Sequence, residues 1–131
     1  MIVVDASVVT LAVIDDDDFG DRARRRLDGE RLTAPGLVDL EVISAFRGIV
    51  RSGKASVPRA ERALRALVAL PLDRVAHERL APRIWELRDN LTVYDAAYVA
   101  LAERLDTQLV TADAAFAAVP GIRCEVELLR P

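Results

Sequence analysis

Short apolar, β-branched runs alternate with longer stretches of helical period along the chain. Met1 to Val4 is uniformly apolar, the pattern of a strand buried on both faces of a parallel sheet. Ser7 to Ile14 predicts a helix with Ser7 as N-cap, and Phe19 to Leu27 a second helix stopped by Asp28-Gly29. Arg31 to Ala34 predicts a short strand, and Pro35-Gly36 opens a long helix reaching Arg51, before Ser52-Gly53. Ser56 caps a further helix to Ala69, with Pro58 in its first turn. Leu70 to Ala76 reads as a strand interrupted by Pro71, and His77 to Asp89 as a helix with Pro82 near its start. After a break at Asn90-Leu91, Thr92 begins the most regular helix, to Arg104, with Tyr94, Ala97, Tyr98, Leu101 and Leu105 along one face. Gln108 to Thr111 reads as a strand, Asp113 to Val119 as a short helix, and Ile122 to Val126, after Pro120-Gly121, as the last strand.

This strand–helix alternation implies an α/β fold: a mostly parallel sheet with helices on both faces. Its 131 residues are one domain's worth, spanning residues 1–131 without a linker or internal repeat. With 52% hydrophobic residues, the chain has the material for an ordinary core, which excludes disorder. The single cysteine, Cys124, excludes a disulfide scaffold. The longest uncharged runs are nine residues, as in Ala6 to Ile14, well short of the ~20 a membrane helix needs. The N-terminal residues lack the pattern of a signal peptide, so a reducing, cytoplasmic setting without membrane association is expected.

The net charge of −3 excludes a bulk polycation that grips nucleic acid non-specifically. Of 18 basic residues, however, only Lys54 is lysine; arginine suits bidentate contacts to phosphate or carboxylate. Arg22, Arg24, Arg25 and Arg26 crowd the second helix, while Arg59, Arg62 and Arg65 recur at i, i+3, i+6; both groups read as solvated faces, with Glu61 and Arg65 as a helix-supporting pair. Arg47 and Arg51, on the long helix, are the better phosphate-contact candidates by position. Six aromatic residues are too few for a base-stacking sheet surface, and Phe46, Trp85, Tyr94 and Tyr98 are expected in the core.

Most catalytic signatures are missing. There is no glycine-rich phosphate loop, nucleophile elbow or Cys/His zinc spacing. His77 reads as a surface or helix-start residue, and Cys124 as core. Four carboxylates remain. Asp5 ends the first strand, and strand carboxyl ends face the ligand crevice of an open parallel sheet; a turn or cap role accounts for Asp5 as well. Asp113 lies two residues beyond the fourth strand at the same edge, and is also placed to cap the next helix. Asp95 is in the first turn of the Thr92 helix, where Thr92-x-x-Asp95 has the form of a capping box; that helix runs antiparallel to the strand it feeds, bringing Asp95 to the carboxyl edge. Glu41 flanks the stripe Val38, Val42, Ala45, Phe46 and Ile49, about 60° from Val38 around the helix. An unpaired carboxylate beside a buried stripe is costly and calls for a cation.

Two carboxylates ~4 Å apart repel by on the order of 4 kcal/mol at an effective dielectric near 20. Four at one edge therefore raise their own pKa values or bind a cation. An all-oxygen set suits Mg²⁺ or Mn²⁺. With no candidate base or nucleophile singled out by the sequence, such a platform points to metal-activated water attacking a phosphodiester.

Four segments resemble the PIN-domain ribonucleases, specifically the VapC toxins of bacterial toxin–antitoxin pairs. They are Ile2-Val3-Val4-Asp5-Ala6-Ser7, Leu40-Glu41-Val42, Tyr94-Asp95-Ala96-Ala97-Tyr98-Val99-Ala100-Leu101-Ala102 and Leu109-Val110-Thr111-Ala112-Asp113, in the family's order. The resemblance implies a three-layer α/β/α sandwich around a mostly parallel five-stranded sheet. It implies an acidic Mg²⁺ site at Asp5, Glu41, Asp95 and Asp113, with Ser7 and Thr111 supporting it through hydroxyls. It also implies an endoribonuclease that forms a homodimer, is neutralised by a cognate antitoxin whose tail covers the active site, and reaches DNA only through that antitoxin.

Two other functions are compatible with parts of this pattern. A phosphoaspartate hydrolase or receiver domain also places an Asp after the first strand, but Ser7 stands where the former needs a second Asp, and Lys54 lies between helices. A non-catalytic co-repressor acting with an antitoxin on DNA is the remaining alternative; intact carboxylates argue against lost catalysis. Asp15 to Asp18 is read as a solvated run at a helix N-terminus, where negative charge is favoured, rather than as a metal site.

Overall fold

The computed structural model describes all residues, 1–131. Five strands form one all-parallel sheet in the order β3-β2-β1-β4-β5: β1 (Ile2–Val4), β2 (Leu32–Pro35), β3 (Leu72–Val75), β4 (Leu109–Thr111) and β5 (Val126–Leu128). β1 lies at the centre, with Val3 opposite both Thr33 and Leu109, and all three of its residues are buried. Six helices cover the sheet: α1 (Ala6–Ile14), α2 (Asp18–Leu27), α3 (Val38–Arg51), α4 (Val57–Ala69), α5 (Ala81–Glu86) and α6 (Val93–Arg104). α1 to α4 pack on one another, while α6 packs with α5 and lies across β1, β2 and β4. Right-handed crossovers place the first four helices on one face and α5 and α6 on the other. The outcome is the expected three-layer α/β/α sandwich. None of its helices is long and apolar enough to cross a membrane.

Several boundaries differ from the sequence reading, each for a local reason. Asp5, not Ser7, occupies the N-cap of α1; Ser7 lies inside the helix and its hydroxyl is used elsewhere. Pro35 ends β2 rather than opening a helix, and α3 starts at Val38 with Leu37 as a cap that makes no side-chain bond. The expected helix over 77–89 splits into a 3-10 turn at Glu78–Leu80 and the short α5. Pro82 lacks an N–H and its ring clashes with the carbonyl four residues earlier, so a helix can restart there but not run through. The segment after Asp113 is only a 3-10 turn, Ala114–Phe116. The last strand is Val126–Leu128, two to four residues later than expected, because the parallel register sets Leu109 opposite Val126 and Thr111 opposite Leu128. Cys124 therefore precedes the strand, half-buried, with its thiol pushed up to about 11 by burial and then by Glu103.

α4 and α6 start where expected: Ser56 Oγ accepts from the Arg59 N–H at 3.2 Å, and Thr92 Oγ1 from the Asp95 N–H at 3.1 Å. α6 does not have the single apolar face expected of it. Ala96 to Ala102 are all buried, whereas Tyr94 is 65% exposed. Trp85, equally exposed, is also outside the core, with Arg88 stacked 4.5 Å from its ring centroid; Phe46 and Tyr98 are buried as expected.

The arginine clusters are only partly solvated. Arg26 forms a fork with Glu127 (2.7 and 2.9 Å) and also reaches Glu30 at 2.9 Å, joining α2 to β5. Arg59 grips Asp16 with two bonds of 3.0 Å, so the acidic run is used in part as an intramolecular clasp; Asp17 holds the N-cap position of α2 without a side-chain bond. Glu61 and Arg65 make no ion pair. His77 is exposed at the start of the 3-10 turn, as its sequence position suggested.

Candidate active site

The centre of the site is the carboxyl end of β1. The Asp5 N–H donates to the Val110 carbonyl at 2.9 Å, continuing the β1–β4 ladder and fixing Asp5 beside the end of β4. Asp5 is 6% exposed, and both neighbouring hydroxyls donate to the same oxygen, Oδ2: Ser7 at 2.5 Å and Thr111 at 2.8 Å. The network extends into β4's loop, since Ser7 Oγ accepts from the Ala112 N–H at 2.9 Å and Thr111 Oγ1 from the Asp113 N–H at 3.0 Å. The two hydroxyls therefore hold one oxygen of Asp5, and Oδ1 carries no side-chain bond. Burial raises the Asp5 pKa, with these hydrogen bonds pulling the other way.

Glu41 reaches the site from α3. It sits in the first turn, about 4.5 Å along the axis from Val38, and its side chain leans toward the helix N-terminus, at the sheet's carboxyl edge. The Tyr98 hydroxyl donates to Glu41 Oε1 at 2.7 Å, the only hydrogen bond to that carboxylate. Burial raises Glu41, and the charges of Asp5 and Asp95 raise it further, while Tyr98 lowers it. Asp95 enters from the first turn of α6. Only half of the capping box forms: Thr92 accepts from the Asp95 N–H, but the Asp95 carboxylate does not turn back to the Thr92 N–H. Burial raises the Asp95 pKa, then Asp5; Thr92 lowers it and Asp113 adds to the rise. Asp113 has both expected roles at once, accepting from the Ala115 N–H at 2.9 Å as a cap and lining the shared cavity.

All four acids line one cavity of about 430 Å³, together with Ser7, Thr10, Leu11, Ala45 and Ala112. None of the four is in a salt bridge. Elsewhere several of the half-buried acids are neutralised. In a larger hollow of about 870 Å³ at the opposite edge, Glu30 is paired with Arg26, and Glu103 with Arg83. An uncompensated carboxylate cluster in a half-buried cleft is suited to a cation, and the all-oxygen donors suit a hard one. No three of the acids are placed to bind one ion together directly. Mg²⁺ keeps several waters and takes one or two carboxylates directly, so donors spread around a cleft fit a hydrated ion.

Arg47 and Arg51 do not line this cavity. They border an apolar groove of about 320 Å³ between α3 and α4, with Ile43, Phe46, Val57 and Leu64. Tyr98 is buried, as the sequence pattern predicts, but its hydroxyl belongs to the site, a role the pattern does not reveal. The available signal was a tyrosine, rather than a phenylalanine, within an apolar run of α6.

A model of the PIN domain matches residues 2–122. Among curated proteins, ribonuclease VapC1 of Mycobacterium tuberculosis is 43% identical over 129 residues, spanning 98% of this chain and 97% of its own. The VapC ribonuclease Mb0985 of Mycobacterium bovis is 39% identical over 129 residues, 98% of each chain. Two solved structures share the fold at low identity. VapBC2 from Rickettsia felis, bound to a DNA fragment from its promoter, superposes with a TM-score of 0.72 at 14% identity, covering 99% of this chain and 100% of that one. A toxin–antitoxin complex from Klebsiella pneumoniae gives 0.69 at 18% identity, covering 99% and 98%.

Proposed function

Because the chain belongs to the PIN-domain family, and within it to the VapC proteins, we propose that it is a toxin of a toxin–antitoxin pair that cleaves RNA internally with Mg²⁺, or Mn²⁺ in its place. The observation that carries this reading is the convergence of Asp5, Glu41, Asp95 and Asp113, from four separate elements, on one cavity without a single cationic side chain.

A divalent ion held there supplies an acidified water and a counter-charge for the phosphate. The protein's part is positional. Ser7 and Thr111 keep Asp5 in one orientation, the cap of α6 aims Asp95, and the Asp113 cap pins the loop after β4. The cleft holds no arginine, so phosphate contacts fall to residues outside it; Arg47 and Arg51, exposed and unpaired farther along α3, are our candidates for the RNA backbone. The curated relatives are named ribonucleases, which supports RNA as the substrate; the Klebsiella and Rickettsia neighbours are toxin–antitoxin assemblies, which supports a cognate antitoxin, and to that antitoxin we assign any contact with DNA. Exposed Leu40, Trp85, Val93 and Tyr94 offer apolar surface for a homodimer. The setting of this activity is the cytoplasm, where the RNA is, and each protomer of the dimer is one PIN domain.

The test is RNA cleavage by the purified protein. Cleavage is expected to stop with EDTA, and with Asp5→Asn or Asp95→Asn in protein that remains folded. Cleavage undiminished by either substitution rejects the site. A protein that binds antitoxin and promoter DNA but cuts no RNA, and shows no metal-dependent thermal shift, is the non-catalytic co-repressor instead.

A further inference from the structure

We propose that Tyr98 is a positioning residue for the metal site: its buried hydroxyl holds Glu41 Oε1, so that Oε2 is presented to the ion. This rests on the metal-site reading above. Tyr98 is fully buried, within the run Ala96–Ala102 that packs against the sheet. Phenylalanine would fill that space equally well. A buried hydroxyl without a partner is penalised, and the partner found here is a carboxylate at 2.7 Å, the length of a charge-assisted O–H···O⁻ bond. Donor and acceptor come from opposite layers: Tyr98 from α6 and Glu41 from α3, meeting at the sheet's carboxyl edge.

Two properties of Glu41 make such a bond useful. Its side chain has three rotatable bonds, and ordering them opposes metal binding unless something has ordered them already. Asp5 and Asp95 also repel it, and the cleft has no arginine or lysine to counter that push. The tyrosine supplies direction and a positive dipole without adding a charge that would compete with the ion. A phenol titrates ordinarily at about pH 10, so at neutral pH the Tyr98 hydroxyl keeps its proton and donates it to Glu41. Asp5 is treated in the same way: Ser7 and Thr111 take Oδ2, leaving Oδ1 without a side-chain bond. In both acids one oxygen is held by a hydroxyl and one is left to the cleft.

The experiment measures Mn²⁺ binding without RNA, from the loss of the free-ion paramagnetic resonance signal. Wild type, Tyr98→Phe, Glu41→Gln and the double variant are compared. Removal of a hydrogen-bond partner behind a ligand typically lowers metal affinity about 10–100-fold, which is expected for Tyr98→Phe. In the Glu41→Gln background the same change is expected to do almost nothing, because its effect passes through the Glu41 carboxylate. Wild-type affinity in Tyr98→Phe, or an equal loss in both backgrounds, overturns the proposal; the second result marks a purely structural tyrosine. If Tyr98→Phe does not fold, Glu41→Asp, which shortens the side chain out of the tyrosine's reach, takes its place; unchanged affinity there overturns the proposal equally. Wild type that binds no Mn²⁺ overturns the metal reading itself, a failure distinguishable from that of Tyr98 alone.

Discussion

Asp5 and Thr111 are 106 residues apart in sequence, yet the Thr111 hydroxyl donates to Asp5 Oδ2 at 2.8 Å across the ends of adjacent parallel strands. Thr111 is fully buried, and its oxygen also accepts from the Asp113 N–H, so one hydroxyl connects two of the four site acids. Thr111→Val keeps the shape and removes both bonds. The nearly buried Asp5 then loses a donor, and the expected loss is about 1–3 kcal/mol of stability, read in urea titrations at pH 7. RNA cleavage should fall more than stability does, since Asp5 is freed to rotate. Cleavage at wild-type rate would mean that Ser7 alone suffices to hold Asp5.

The site should weaken the fold at neutral pH. Burial raises the pKa of Asp5, Glu41 and Asp95 in the folded protein. A carboxyl raised in this way adds stability that is complete below its ordinary pKa near 4 and disappears as pH rises through the folded value. Asp95→Asn removes one such charge. In EDTA its melting temperature should exceed that of wild type at pH 7, with the gap closing toward pH 4. A variant that melts lower at pH 7, or with a gap independent of pH, contradicts this electrostatic account.

Much of this was legible in the sequence for definite reasons. Parallel strands buried on both faces leave uniform apolar runs, so β1 and β4 stood out; caps such as Ser56 and Thr92 act through neighbours three residues away. Asp5, Asp95 and Asp113 were legible because each sits at the end of a periodic segment and topology sends those ends to one edge; Glu41 was legible as a carboxylate beside a buried stripe. What escaped depended on distant partners. The register of β5 is set by β4, and the function of Tyr98 by a carboxylate 57 residues earlier. Periodicity put Tyr94 on the face it gave to Tyr98, but α6 is surrounded by protein along Ala96–Ala102 and emerges at its N-terminus.

Arg83 stabilises the edge opposite the site. It forks onto Glu103 at 2.7 and 3.0 Å, reaches Glu86 at 3.1 Å and donates to the Gly121 carbonyl at 2.7 Å, tying α5, α6 and the turn before β5. Burial would raise Glu103, but Arg83 and the Arg123 N–H outweigh it and the net shift is downward. Its contribution is therefore present above pH ~4.3 and lost as pH falls through the depressed folded value. Arg83→Ala should remove about 2–3 kcal/mol at pH 7 and progressively less in acid. Its cleavage rate per folded molecule should match wild type, since Arg83 lines no part of the acid cavity. A selective loss of cleavage would show coupling between the two sheet edges.

Gly20, in α2, is required by a close approach rather than by an unusual backbone angle. A Cβ there would stand 2.0 Å from the Asp15 carbonyl oxygen and 2.7 Å from its carbon. That carbonyl cannot easily move. The Asp15 N–H closes α1 by bonding the Leu11 carbonyl at 3.1 Å, and Arg24 holds the Asp15 carbonyl at 2.8 Å. Nearby, Arg59 clasps Asp16, fastening the same connection to α4. Gly20→Ala is favoured by helix propensity by up to ~1 kcal/mol, so an exposed helix position would gain stability. Here the methyl must displace backbone, and overpacking of that kind typically costs about 1–3 kcal/mol or more. The steric term exceeds the propensity term, and a net drop in melting temperature is expected. Because the strain falls on the α1–α2 connection rather than on Asp5, Mn²⁺ affinity in the remaining folded protein should stay at wild-type strength; a rise in melting temperature would show that the α1–α2 turn yields to the methyl group.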